Sequence, residues 1–137
     1  MKADKNAALE KIDPSKAEID ILTVLWKNGP STVRAVHNQL LLSKEVNYTT
    51  TLKQMQLMVE KNMLNRDETS MTHIYNVAQE ESQTKGHLLS RFVDHIYDGS
   101  AGNLMMQLLG NKQTSAEELQ KIREILDNLD QQGDQLK

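Results

Sequence analysis

Tyr48, Thr49, Thr50 and Thr51 stand side by side at the start of an apolar-periodic stretch, with Lys53 and Gln54 one turn further on. Hydroxyls, an ammonium and an amide at the N-terminal end of a helix are groups that bond phosphate oxygens and base edges. A threonine methyl suits the thymine methyl, and the helix N-terminus attracts phosphate through its free N–H groups and dipole. The stretch over residues 29–67 reads as a capped helix, a short polar turn and a second helix opening on these side chains. That is a helix-turn-helix, whose second helix presents its N-terminal residues to the major groove. Thr32 at the cap of the preceding helix joins the set, and Lys44, Lys61 and Arg66 are placed to meet the phosphate backbone.

Other chemistries find no support in residue type or spacing. His37, His73, His87 and His95 include no i, i+4 pair of the kind a zinc helix uses, and His87 and His95 are eight apart, too far to share one ion. Cysteine is absent, so no thiolate metal site, disulfide or thiol switch is available. Neither a glycine-rich phosphate loop, a nucleophile elbow nor a paired-carboxylate arrangement is present. The seven methionines read as adaptable core filler. The expectation is a protein that is not an enzyme and needs neither metal nor cofactor.

Composition bounds the architecture. A chain of 137 residues has room for one core and an appendage, and 38% apolar against 4% aromatic residues suits helices with Leu, Ile and Met interiors. The net charge is −3, but it is unevenly spread: residues 11–78 balance to +1 and residues 79–137 to −4. A DNA-facing surface needs local cations only, because charges beyond the screening length count little. The first residues lack a signal-peptide core and no segment approaches the ~18 apolar residues of a membrane span, so a cytoplasmic protein without stable membrane association is expected.

The elements that must position the threonines follow from periodicity. Ser15 and Glu18 form a capping-box pattern opening a first helix to about Lys27, with Ile21, Leu22, Leu25 and Trp26 inward and Asn28-Gly29-Pro30 ending it. A second helix starts at a Ser31 or Thr32 cap, turns Val33, Val36, Leu40 and Leu41 inward and Arg34, His37, Asn38 and Gln39 outward. The third runs from after Asn47 to about Lys61. It buries Leu52, Met55, Met58 and Val59 and exposes Thr50, Lys53, Gln54 and Leu57 on the opposite face. A change of period at residues 63–67, a polar tip and strict alternation across residues 73–77 make a β-hairpin. Three helices and a hairpin compose a winged helix over residues 12–78.

Residues 79–131 are expected to form a helical dimerisation domain. One stripe over residues 80–97 includes Leu88 and Phe92; an apolar patch follows at residues 104–109, with Leu104 and Leu108. A last helix opens on a second capping box at Ser115 and Glu118 and spaces Leu119, Ile122, Leu126 and Leu129 as a seam. The winged helix has its own core, so these surfaces are most economically buried against a second copy of the chain. The fold class is therefore mainly α, a winged helix-turn-helix with a C-terminal helical dimerisation domain.

Ala17-Glu18 through Leu25-Trp26, residues 29–34 with Val36-His37, and Tyr48-Thr49-Thr50-Thr51-Leu52 through Glu60-Lys61 carry a resemblance to the penicillinase and methicillin-resistance repressors of the BlaI/MecI type. It extends over residues 12–130. The resemblance implies a homodimeric repressor that binds a palindromic double-stranded operator and is relieved when a membrane-bound sensor metalloprotease cuts its C-terminal domain, near Gln107-Leu108. The chain departs from the family's usual pattern at Gln56 and Leu57, where basic residues are customary, and at its wing tip, which lacks Arg and Lys. Two other readings stay open from the residues themselves: a winged-helix protein-interaction module, which would show no salt-dependent DNA binding, and a regulator gated by a small molecule.

Overall fold

The structure, a computed structural model, describes residues 14–135. Residues 12 and 13, at the start of the expected DNA-binding domain, lie outside them. Helix α1 (Lys16–Asn28) opens on the expected capping box: the Glu18 N–H donates to Ser15 Oγ at 3.2 Å and the Ser15 N–H to Glu18 Oε1 at 2.9 Å. It closes at Gly29, whose φ of +78° is open to glycine without strain and lets its N–H reach the Leu25 carbonyl. Helix α2 (Val33–Leu40) is capped by Thr32, whose Oγ1 accepts from the Ala35 N–H at 3.1 Å. Helix α3 (Tyr48–Glu60) ends where Asn62 takes φ +64° and Met63 N–H bonds the Met58 carbonyl.

Strands β1 (Leu64–Asp67) and β2 (Ile74–Val77) pair antiparallel, Leu64 opposite Val77 and Arg66 opposite Tyr75. A further bridge, invisible to local sequence patterns, ties Ser31 to Tyr75 through two backbone bonds of 2.9 and 2.8 Å. It anchors the hairpin to the α1–α2 connection. Ile21, Leu22 and Leu25 of α1, Val33, Val36 and Leu40 of α2, Met55 and Met58 of α3, and Met63, Leu64 and Tyr75 make one buried cluster.

Two assignments on α2 are corrected. His37 is buried rather than outward, because it stands one turn from Val33 and Leu40 within the same stripe, and a hydrogen bond to Thr51 offsets the cost of burying it. Leu41 is 49% exposed rather than inward, because α2 stops at Leu40 and the chain turns away before the stripe can continue.

The chain parts into two compact units between Leu89 and Ser90, inside helix α4 (Glu81–Ile96). In the first unit Thr84 is buried and the Lys85 ammonium lies 5.2 Å from the Trp26 ring centre. In the second, α4 closes through Asp98 and Gly99 at φ +51° and +81°. The apolar patch forms a helix of its own, α5 (Ala101–Gly110), capped by Ser100, whose Oγ accepts from the Asn103 N–H. Helix α6 (Ala116–Gln135) opens on the second capping box, Ser115 with Glu118.

Candidate nucleic-acid interface

The three innermost residues of α3, Thr51, Met55 and Met58, define which way the helix faces. The opposite face carries Thr49, Thr50, Lys53, Gln56, Leu57 and Glu60, all exposed. Thr49 and Lys53, one turn apart, share a line along it, as the hydrogen-bonding role requires.

Thr51 cannot take part in that role. It is 1% exposed, and its Oγ1 stands 3.0 Å from His37 Nδ1. The hydroxyl ties α3 to α2 instead. Gln54 is half-buried, because one residue step past Lys53 rotates it roughly 100° off the exposed face. Tyr48 is half-buried too, its ring standing edge-on to His37 with centres 5.4 Å apart.

The cations divide into held and free. Lys44 pairs with Asp20 at 3.0 Å and Lys61 with Glu18 at 3.1 Å, so the α2–α3 turn and the C-terminal end of α3 are each tied to an acid of α1. Arg66 pairs with Glu68 at 2.7 Å. Each would have to leave a carboxylate to meet a phosphate. Lys53 is exposed and has no carboxylate partner among the ion pairs of the described residues.

Arg34, which sequence reading placed on an outer face without a role in binding, completes the surface. Its guanidinium carbon lies 3.9 Å from the centre of the Tyr48 ring, a cation–π contact that fixes a long side chain beside the N-terminus of α3. No local pattern could have found it, since the two residues meet only after the turn folds. Arg34 and Tyr48 also line an open cleft of about 270 Å³ between α2, α3 and the hairpin, with Thr32, Gln56, Met71 and His73. Gln56, Met71 and His73, like Arg34, are not among the DNA-binding residues expected from the sequence.

Of the eight expected dimerisation residues, Leu88, Leu104, Leu119 and Ile122 are half-buried within the chain, while Phe92, Leu108, Leu126 and Leu129 are exposed. Leu89, Ile96, Met105, Met106, Leu109 and Ile125 are exposed as well. Among the described residues no helix is long and apolar enough to cross a membrane.

Three helices closed by an antiparallel hairpin, with a polar outer face on the third, define a winged-helix DNA-binding protein. The sequence pattern of the penicillinase repressor family matches residues 14–128, and the chain belongs to that family, one of transcriptional repressors and not of enzymes. It is 24% identical over 116 residues to the penicillinase repressor of Bacillus licheniformis, covering 82% of this chain and 88% of that protein. It is 20% identical over 112 residues to the methicillin resistance regulatory protein MecI of Staphylococcus aureus strain N315, covering 82% and 91%. Among solved structures, the hsRosR-S4 complex matches with a TM-score of 0.49 at 16% identity, over 91% of this chain and 95% of that one. A mutant MarR from E. coli complexed with operator DNA matches with a TM-score of 0.45 at 13% identity, over 91% and 81%.

Proposed function

We propose that the protein is a cytoplasmic homodimeric repressor that binds a two-fold symmetric operator, residues 12–78 contacting DNA and residues 79–131 joining the two copies. The observation that carries this reading is the division of surfaces. The exposed face of α3 is polar, with Thr49, Thr50 and Lys53 beside the stacked Arg34, whereas the tail helices leave Phe92, Leu108, Leu126 and Leu129 uncovered. Exposed apolar seams of this kind mark a protein interface, and an identical chain presents the same seam in return. Two joined winged helices reading two half-sites give an inverted repeat.

The test is selection of binding sequences from a random duplex pool by the full-length protein. An inverted repeat should be enriched, and binding should weaken steeply with salt. Absence of any enriched sequence would count against operator recognition, and a half-site without its mirror copy would count against the dimer.

Relief of repression is assigned to proteolysis of the C-terminal domain between residues 99 and 110 by a membrane-bound sensor metalloprotease. Support comes from the placement of that segment. Cutting α5 severs α6 and its seam from the DNA-binding half, and a ten-residue helix is marginal by itself, so its backbone opens readily to a protease. If induced cells keep the chain whole while repression is lifted, this route is wrong.

A further inference from the structure

Leu57 is an anomaly on the exposed face of α3. It is 40% exposed, it lies two turns beyond Thr50 on the same line, and its neighbours on that face are Lys53, Gln56 and Glu60. Every other side chain there can donate or accept a hydrogen bond. The core of the unit is already filled by Met55 and Met58 on the opposite side of the helix, so Leu57 contributes nothing to it.

We infer that Leu57 reads thymine, through van der Waals contact between its methyl groups and the C5-methyl of one thymine in each half-site. The inference rests on the proposed operator binding. In the major groove the thymine methyl is the one apolar group on any base edge, so it is the feature an aliphatic side chain can distinguish. Distance agrees: the seven residues from Thr50 to Leu57 span roughly 10 Å of helix, about three base-pair steps at 3.4 Å each. Thr50 and Leu57 therefore address different base pairs, and Lys53 lies between them. Solvated in the free protein, the leucine loses water only when the groove closes over it, and burying one methyl group corresponds to about fourfold in affinity.

The experiment uses the full-length protein and the selected operator, with thymines replaced singly, at symmetric positions in both half-sites, by deoxyuridine. That change removes the methyl and leaves the hydrogen-bonding edge intact. Wild type should discriminate against uracil at one position, by about fourfold per half-site. Leu57→Ala should bind the thymine and uracil operators equally, with an unchanged melting temperature, and Leu57→Met should restore part of the discrimination. Leu57→Ala retaining the full preference would overturn the inference, as would a wild type indifferent to every replacement. Salt-dependent operator binding without any methyl preference removes Leu57 as a reader and leaves the repressor reading standing. Loss of self-association in Leu57→Ala, again without methyl preference, assigns this face to a protein contact. Failure of wild type to bind any duplex defeats both readings together.

Discussion

Lys53 and Lys61 stand eight residues apart, one on the exposed face of α3 and the other at its C-terminal cap. Lys53 reaches open solvent, whereas Lys61 stands 3.1 Å from a Glu18 whose side chain is 3% exposed. Lys53→Ala should lower the slope of log affinity against log salt by about one unit, the signature of one phosphate neutralised. Lys61→Ala should leave that slope near the wild-type value and destabilise the fold by about 1–3 kcal/mol, because it strands a buried carboxylate. The lower end is expected, since Lys61 itself is 41% exposed and solvent screens the pair. A slope change with Lys61→Ala and none with Lys53→Ala would reverse the two roles. Glu18 also responds to pH. Burial pushes its carboxyl up, but the Ser15 N–H and the Lys61 ammonium outweigh this and hold it below its ordinary value of 4.5. A depressed value in the folded state contributes stability that is complete above 4.5 and is lost as pH falls through the lowered value. Urea unfolding of Glu18→Gln should therefore lose less stability than wild type over that acid range. An identical acid response of the two proteins would mean that Glu18 is not the group concerned.

At the scale of elements, α2 and α3 are joined by more than apolar packing. His37 Nδ1 and Thr51 Oγ1 lie 3.0 Å apart inside the core, and Tyr48 packs its ring against His37 while Arg34 covers its face. One buried hydrogen bond thus links the two helices that carry the proposed DNA-facing groups. Thr51→Val keeps the side-chain shape and leaves the histidine nitrogen unpaired, so a loss of about 1–3 kcal/mol is expected in denaturant unfolding. Wild-type stability for this variant would show that the pair contributes nothing net. The hairpin depends on a comparable link, the two backbone bonds between Ser31 and Tyr75, which hold the wing against the start of α2.

For the whole molecule the question is what the tail adds. A chain ended after Leu89 keeps the core cluster, the buried Thr84 and the contact of Lys85 with Trp26. It should sediment as a folded monomer and bind the operator roughly 10²–10⁴-fold more weakly than the full chain, because each half-site is then engaged without the linkage that raises effective concentration. Equal affinity of the two chains would sink the dimer proposal, and so would a full-length protein that sediments as a monomer at micromolar concentration.

Local rules were enough for much of this protein. Capping at Ser15 and Ser115, a cap at Ser31 or Thr32, the stop at Gly29 and the alternation at residues 73–77 were legible because each depends on side chains a few residues apart. The polar start of α3 was legible for the same reason. Contacts between elements decided the rest. Thr51 and His37, fourteen residues apart, are polar by type and became core because they satisfy each other. Lys44 and Lys61 are cations by type and became braces because Asp20 and Glu18 of α1 lie beside them. Arg34 gained its position from Tyr48 across the turn. Periodicity states which way a side chain points along one helix, whereas whether a charge is free to meet a phosphate depends on what another helix brings within about 3 Å, and that is a tertiary fact.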